Sequence, residues 1–444
     1  MLASLLDFIN TYIFGPGLCV AVFASGIYLI CCLRPFFITK PRRIVRALMS
    51  GGSESGISPV KAMIVALAGT LGVGNIAGVA SAIAIGGAGA VFWMLISAVA
   101  ALPIKYAEIV LAVRHRRRDT DGRPHGGAYF YISDHGGKAA SAFAVIFSVL
   151  CLAASLTMGC ATQANAIAVS VKGTFGVSPL VCGLILGVLT FTVAAGGLDR
   201  IAFLTTRLIP TMSGIYILMS LFVILTNLPL LGEVICDIVA EAFDMRAFGG
   251  GIIGFITSRA LRIGVTRGIV SNEAGCGTAP IAHAGAEVTT PASQGVWGMF
   301  EVFVDTIVIC TLTAFTVLIA EKHGIAAVSD GMASAIAAFG QFIPFSEPIL
   351  CAAVIIFAFC TIVCWFYYGT ESLSFLCQNH CGIWKKLYLI IYSLCAVFGA
   401  AASAETVWSL SDLSISAMTA VNITAILLSV KEVKYETDRY FYKP

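Results

Sequence analysis

The stretch "GTLGVGNIAGVA", residues 69–80, interrupts one of the long apolar segments of the chain. It combines four glycines with a threonine and an asparagine, and glycine costs a helix interior about 1 kcal/mol relative to alanine. A helix broken at membrane depth exposes backbone polar groups unless protein, water or a ligand satisfies them. For this stretch alone two interpretations are open: close helix packing through small residues, or an unwound ligand site.

The composition is that of a membrane protein. The 444 residues are 58% hydrophobic and only 11% charged, with a mean hydropathy of +0.93. A soluble domain typically has about a quarter of its residues charged. The apolar residues form blocks of roughly 20, the length of helix that crosses a bilayer. These features predict an all-α polytopic membrane protein.

About eleven spans follow from these blocks, and they form a single transmembrane domain over residues 1–444 because no linker divides them. The outer segment 327–345 is interpreted as a short helix over an external vestibule. The predicted spans are 10–33, 59–84, 89–112, 139–170, 179–197, 209–230, 250–282, 295–320, 348–372, 387–403 and 412–430.

The distribution of positive charge predicts the orientation. With the N-terminus outside, twenty lysines and arginines fall on the cytoplasmic side and three in the outer loops. Cytoplasmic loops are enriched in these residues, so we expect an outer N-terminus, a cytoplasmic C-terminus and an odd number of spans. The run "RHRRR" at 114–118 is interpreted as an orientation signal that meets anionic lipid, not as a nucleic-acid-binding patch.

A second interruption, "GVTRGIVSNEAGCGTAP" at 264–280, places Arg267, Glu273, four glycines and Pro280 in a long span. An ionisable residue within a span is a functional hypothesis by default. The alternative is a cytoplasmic loop, with the span ending near residue 266.

The two interruptions fall in the second and seventh spans. A separation of five spans is what a five-plus-five inverted repeat with two discontinuous helices would produce. The first repeat would cover 59–230 and the second 231–430. An extra N-terminal helix and cytoplasmic loop would occupy 10–58, and a cytoplasmic tail 431–444.

Four strings carry a resemblance to a known family. "GTLGVGNIAGVASAIAIGGAGAVFWM" (69–94) and the long string from "SNEAGCGTAP" at residue 271 to residue 314 are similar to the signature blocks of the alanine or glycine:cation symporters. "GGAYFYI" (126–132) and "TQANAIA" (162–168) resemble further motifs of that family. The match runs from about residue 60 onward. It implies a leucine-transporter-type fold with one helix outside the repeat.

The resemblance also implies roles for residues at the first break. Thr70, Val73, Gly74 and Asn75 would belong to its unwound part, where backbone N–H groups would meet the substrate carboxylate. Gln163 would hydrogen-bond the same carboxylate. The Asn75 side-chain oxygen and the Thr70 carbonyl would help to bind one sodium ion.

At the second break, the resemblance implies that Asn272, Gly275 and neighbouring carbonyls receive the substrate ammonium group. Trp365 would wall the pocket against larger side chains.

A second sodium ion would bind the carbonyls of Ala68 and Leu71 with hydroxyl groups from 360–361. The family commonly has Ser-Thr there, whereas this chain has Cys360 and Thr361. A hard cation prefers oxygen ligands, so Thr361 alone would remain.

Other ionisable residues have mainly structural interpretations. Glu301 and Asp305 lie on one side of the eighth span. We expect them to pair with Arg267 or Arg262 or to cap interhelical networks; binding a cation or relaying a proton is the alternative. Lys105 and Glu108 are expected to form an ion pair at the inner membrane interface. His283 is interpreted as structural.

The resemblance implies a secondary active symporter that imports alanine or glycine with sodium in a bacterial inner membrane. A proton-coupled or substrate-diverged carrier of the same fold is the alternative, and a channel would be a different class. HExxH and GxSxG motifs with partners are missing, which argues against an enzyme. The expected partners are a small neutral amino acid, sodium and membrane lipids. No other cofactor, nucleic acid or obligate protein partner is expected.

Overall fold

The computed structural model describes residues 15–49, 57–118, 122–243, 258–325, 328, 330–378 and 381–442. Several parts of the predicted segments therefore lie outside the described residues. They are 10–14 of the first span, 50–56 of the N-terminal loop, 119–121 of the first repeat, 244–249, 326–327, 329 and 379–380 of the second repeat, 250–257 of the seventh span, and 443–444 of the tail.

The described residues are almost entirely helical and include one hairpin of two-residue strands. In the first part the helices are α1 (Gly15–Leu33), α2 (Phe36–Thr39), α3 (Pro41–Met49), α4 (Pro59–Thr70), α5 (Ala77–Gly86), α6 (Gly89–Arg114), α7 (Ala128–Ser133), α8 (Gly137–Leu156), α9 (Thr162–Phe175), α10 (Pro179–Ala194), α11 (Gly197–Thr226) and α12 (Leu228–Ala242). The strands β1 (Arg117–Arg118) and β2 (Pro124–His125) pair antiparallel between α6 and α7.

The second part continues with α13 (Arg259–Asn272), α14 (Ala279–Ala284), α15 (Pro291–Val302), α16 (Thr311–Lys322), α17 (Gly331–Gly340), α18 (Ser346–Cys377), α19 (Cys381–Ala401), α20 (Ala404–Leu428) and α21 (Val430–Phe441). Wider π-helical turns at Thr157–Ala161 and Phe303–Cys310 join α8 to α9 and α15 to α16 without breaking them.

Within the described residues, seven helical segments are long and apolar enough to cross a membrane. Residues such as Val188, Leu218 and Phe398 expose apolar side chains on α10, α11 and α19, as lipid-facing surfaces require. The polytopic helical class predicted from composition is confirmed. The five-plus-five repeat and the count of eleven stay predictions.

Several predicted boundaries were wrong. The helix assigned to 209–230 begins at Gly197, because its charged first turns continue the helix beyond the apolar block. The helices assigned to 387–403 and 412–430 begin at Cys381 and Ala404, the latter capped by the Ser403 hydroxyl, which accepts a hydrogen bond from the Thr406 N–H.

Apart from α17, five helices of the described residues fall outside the predicted spans, namely α2, α3, α7, α12 and α21. The acidic helix α12 packs against the start of α6, where its Ala242 carbonyl accepts a hydrogen bond from the Trp93 indole at 3.1 Å. The tail forms α21. This helix has a polar face, so a search for long apolar blocks does not detect it. The short helix expected within 327–345 is α17, with Asp330 as its N-cap.

The two broken helices run antiparallel and meet at their breaks. α4 begins beside α15, near the end where Arg114 lies, and α5 ends at the opposite end beside Ile263 of α13. α13 and α14 run back, and Ala286 pairs with Ile57 just before α4. This antiparallel course is what an inverted repeat requires.

Candidate functional site

The first break is a short irregular segment between α4 and α5. Leu71 and Gly72 leave the helix, Val73–Asn75 form one 3-10 turn, and α5 begins at Ala77. A Cβ atom at Gly72 would lie 2.8 Å from the Gln163 side-chain oxygen and 2.9 Å from the Thr361 hydroxyl. Glycine is therefore needed at this point because two neighbouring helices approach the backbone closely.

Gln163, on α9, reaches the first break. Its Oε1 atom accepts a hydrogen bond from the Val73 N–H at 3.2 Å, and its Nε2 atom donates to the Met158 carbonyl at 3.2 Å. The residues assigned to the substrate carboxylate are thus neighbours in the structure.

Thr361, on α18, lies against the carbonyls that end α4. Its hydroxyl is 3.0 Å from the Ala68 oxygen and 3.5 Å from the Leu71 oxygen. The three groups assigned to the second sodium ion are therefore brought together. The Thr70 carbonyl accepts a hydrogen bond from the Gly72 N–H at 2.8 Å.

Trp365 packs one turn further along α18. Its indole N–H donates to the Gly69 carbonyl at 3.3 Å, and a Cβ atom at Gly159 would lie 2.3 Å from the Trp365 Cβ atom. The ring is fully buried between α4 and the π turn after α8.

The second break spans six residues between α13 and α14. Glu273, Gly275 and Gly277 have φ values of 51°, 81° and 82°, a region that favours glycine and is uncommon for glutamate. The Thr278 hydroxyl donates to the Glu273 carboxylate at 2.6 Å. The alternative of a cytoplasmic loop after residue 266 was wrong, because α13 continues to Asn272 and the break is buried.

Other side chains already contact the carbonyls assigned to the substrate ammonium group. The Asn272 carbonyl accepts a hydrogen bond from the Lys105 ammonium at 2.9 Å, and the Gly275 carbonyl accepts one from the Asn422 amide at 2.8 Å.

The two breaks meet at a buried polar cluster around Asp305. The Asn75 Nδ2 atom donates to Asp305 Oδ1 at 2.8 Å and to the Ser271 hydroxyl at 3.0 Å. The hydroxyls of Ser271 and Thr306 donate to Asp305 Oδ2 at 2.7 and 2.8 Å. Asn75 Oδ1 is buried and has no hydrogen-bond partner among the described residues.

Of the two structural roles expected for Asp305 and Glu301, pairing with Arg267 or Arg262 was wrong, whereas both residues do belong to networks between helices. Asp305 faces the Asn75 cluster, and Glu301 lies 3.1 Å from Lys105. Arg267 instead lies 3.5 Å from Asp412. A lone aspartate in an apolar span was the only sequence signal for the cluster around Asp305, and its partners come from distant segments.

The interfacial position predicted for Lys105 and Glu108 was also wrong. Both side chains are fully buried beside the second break, and their charged atoms are 4.0 Å apart. His283 hydrogen-bonds Glu301 at 3.0 Å and Gln294 at 2.7 Å, which agrees with a structural role.

A cavity of about 850 Å³ opens between α5, α13, α17 and α20 and reaches the first break at Val73. Its lining includes arginines of α13 and carboxylates of other segments. Asp412 pairs with Arg267, whose guanidinium lies 4.7 Å from the centre of the Trp408 ring. The charged lining residues are Arg259, Arg262, Arg267, Asp330, Glu405 and Asp412.

Comparison with known proteins gives a family match over the full length. The profile described as the sodium:alanine symporter family matches residues 1–444. The sodium/alanine symporter AgcS of Methanococcus maripaludis is 35% identical, with 98% of this chain and 97% of that protein covered.

Two relatives from Bacillus subtilis have names that give different ions or substrates. The putative sodium/proton-dependent alanine carrier protein YrbD is 36% identical over 87% of this chain and 82% of its own length. The probable sodium/glutamine symporter GlnT is 33% identical over 98% of this chain and 89% of its own length.

Proposed function

This chain belongs to the sodium:alanine symporter family, and from that premise we propose that it imports a small neutral amino acid, alanine or glycine, together with sodium. The family and the relatives make it an amino-acid symporter coupled to sodium or protons, and a transporter rather than an enzyme. The finer assignment of substrate and ion is the proposal.

The observation that carries the proposal is the meeting of two broken helices beside the cavity. The cavity reaches Val73, and the position of a Gly74 Cβ atom lies 3.7 Å from the Ser271 Cα atom. Unwound segments that face each other at membrane depth are the usual substrate and ion sites of secondary transporters.

The first break supplies the proposed carboxylate site. Backbone N–H groups at Val73 and Gly74 stand just before α5, where the positive end of a helix dipole favours an anion. The Gln163 amide can turn from the Val73 N–H to donate to the carboxylate. A neutral side chain suffices because backbone N–H groups already face the anion. Thr70 and Trp365 would restrict the size of the substrate, as the resemblance implies.

Two oxygen-rich sets support the proposed sodium sites. One consists of the carbonyls of Ala68 and Leu71 with the Thr361 hydroxyl, which converge within 3.5 Å. Sodium there would join the end of α4 to α18. Cys360 adds a thiol in place of the second hydroxyl, so this site has fewer oxygen ligands than the family pattern.

The other set is the Asp305 cluster. If the Asn75 amide turns over, its unpartnered oxygen replaces the nitrogen beside Asp305 and Ser271. An anionic carboxylate, an amide oxygen and the hydroxyls of Ser271 and Thr306 then form an all-oxygen set, as hard cations prefer. We keep the Thr70 carbonyl as a further ligand of this sodium ion because the family resemblance implies it.

Sodium and amino acid would favour each other's binding, because both act on the same unwound segment and coupling between sites is reciprocal. We also propose that the cavity faces outward in a bacterial inner membrane, with the C-terminus cytoplasmic. The clustering of Arg43, Arg114 and α21 at the opposite end supports this orientation through the positive-inside rule.

Uptake by purified protein in liposomes tests the proposal. Labelled alanine, glycine and glutamine are each offered with an inward sodium gradient, an inward proton gradient, or neither. We expect alanine and glycine to accumulate at least tenfold above the gradient-free level only with sodium. Accumulation driven by the proton gradient alone would overturn sodium as the coupling ion and assign protons instead. A preference for glutamine would overturn the substrate assignment.

A further inference from the structure

One turn of α6 contacts both ends of the second break. The Lys105 ammonium donates to the carbonyl of Asn272, the last residue of α13, at 2.9 Å. Glu108, three residues later, accepts a hydrogen bond from the Gly277 N–H at 3.2 Å, just before α14 begins. A cation therefore faces a helix end that exposes carbonyls, and a carboxylate faces a segment that exposes N–H groups.

This placement matches the polarity of the two half-helices. The last carbonyls of a helix carry partial negative charge and the first N–H groups partial positive charge, so they favour a cation and an anion respectively. With the two charges exchanged, Lys105 and Glu108 could still pair with each other, but each would face the wrong helix end. The order of the two residues along α6 is therefore informative.

Further contacts fix both side chains. Lys105 lies 3.1 Å from Glu301 on α15, and both are buried. The Asn422 amide donates to Glu108 at 3.0 Å and to the Gly275 carbonyl at 2.8 Å, and the Tyr131 hydroxyl donates to the Asn422 oxygen. Three backbone groups, the carbonyls of Asn272 and Gly275 and the N–H of Gly277, thus have side-chain partners on neighbouring helices.

We propose that Lys105 and Glu108 are positioning residues that clamp the second break, so that its backbone is held by protein and not by cargo. α6 then moves with α13 and α14 as one body, and the exchangeable ligands act on the first break. This inference rests on the proposed function for its place in transport, but the clamp itself makes a prediction that needs no substrate.

Hydrogen–deuterium exchange of the full-length purified protein tests the clamp. We compare wild type with Lys105→Met, Lys105→Arg and the double exchange Lys105→Glu with Glu108→Lys. Exposed Lys138→Met is the matched control. Exchange is followed in peptides covering 272–278, with peptides covering 70–76 as the internal reference.

We expect Lys105→Met and the double exchange to speed amide exchange in 272–278 at least tenfold, with less than a threefold change in 70–76. Lys105→Arg and Lys138→Met should stay within threefold of wild type. Where Lys105→Met yields no monodisperse protein, Lys105→Gln, which keeps a donor without the charge, should give an acceleration of threefold or more.

Wild-type exchange rates in Lys105→Met or Lys105→Gln would overturn the clamp. Wild-type exchange rates in the double variant, Lys105→Glu with Glu108→Lys, would also overturn the clamp. The two residues would then form an ordinary ion pair whose order does not depend on the helix ends. A wild-type chain that takes up no alanine would overturn the proposed function instead and leave these exchange results unaffected.

Discussion

The Oε1 atom of Gln163 accepts a hydrogen bond from the backbone N–H of Val73 at 3.2 Å, across 90 residues of sequence. This bond joins α9 to the first helix break at Val73, one of the residues that line the cavity. We assign this N–H group to the substrate carboxylate. In the structure it is bound by a neutral amide, which a carboxylate can displace.

Replacing Gln163 with leucine should weaken substrate binding. The variant keeps an apolar side chain of similar size but removes the amide that we expect to donate to the carboxylate. We predict at least a tenfold rise in KM for alanine, equivalent to about 1.4 kcal/mol, measured as initial uptake rates in liposomes. Ser170→Ala, which removes a buried hydroxyl from the same helix, is the control. A KM within twofold of wild type would contradict the assignment.

A methyl group at Gly72 should disrupt the first break. It would lie under 3.0 Å from both Gln163 and Thr361, and overpacking of this kind costs typically 1–3 kcal/mol. We expect Gly72→Ala to lower the melting temperature by several degrees and uptake by at least tenfold. Gly78→Ala is the control, since no atom lies within 4 Å of the added methyl. Equal effects of the two substitutions would show that helix propensity, not close approach, decides the outcome.

Both helix breaks could be predicted from the sequence because their signals are local. Glycines beside Asn75, and Glu273 among glycines, are poor choices for a continuous apolar helix. The contacts of Gln163 and Thr361 with the first break agree with the family resemblance, which supplied pairings that no local pattern contains.

The charged network could not be predicted in this way. Lys105 and Glu108 look like an interfacial pair because their i,i+3 spacing is all that the sequence shows. Their partners lie 167 and 169 residues away, at Asn272 and Gly277. Pairing of Asp305 with an arginine was likewise expected from the nearest opposite charge in the sequence. Nearness in sequence is a poor guide to which side chains meet inside a helix bundle.

Thr361→Val should reduce sodium dependence. Valine preserves the shape of the side chain and removes the hydroxyl that lies beside the Ala68 and Leu71 carbonyls. We expect the sodium concentration for half-maximal uptake to rise at least tenfold, with Thr361→Ser close to wild type. Thr370→Val removes a hydroxyl from the same helix, where the partner is only the Phe366 carbonyl, and serves as the control. An unchanged sodium requirement would remove Thr361 from the ion site.

Asp305→Asn should separate charge from shape in the cluster beside Asn75. The amide can keep hydrogen bonds but lacks the negative charge that a bound cation would neutralise. We predict at least a tenfold loss of sodium affinity, measured by sodium-dependent stabilisation of the purified protein against heating. The parallel substitution Asp412→Asn should leave this stabilisation within twofold, since Asp412 faces Arg267 instead. Identical behaviour of the two variants would mean that the Asp305 charge serves packing alone.

Glu432, at the Arg114 end, predicts how stability depends on pH. Burial raises the pKa of its carboxyl group. The His115 hydrogen bond and the charges of His115 and Arg114 lower the pKa by more than burial raises it, so the pKa lies below its usual value. A lowered pKa stabilises the fold above the unfolded-state pKa, and this contribution is lost as pH falls through the folded-state value. The difference in melting temperature between wild type and Glu432→Gln should therefore be largest near pH 7 and shrink below about pH 4.3. A difference that grows on acidification would contradict the prediction.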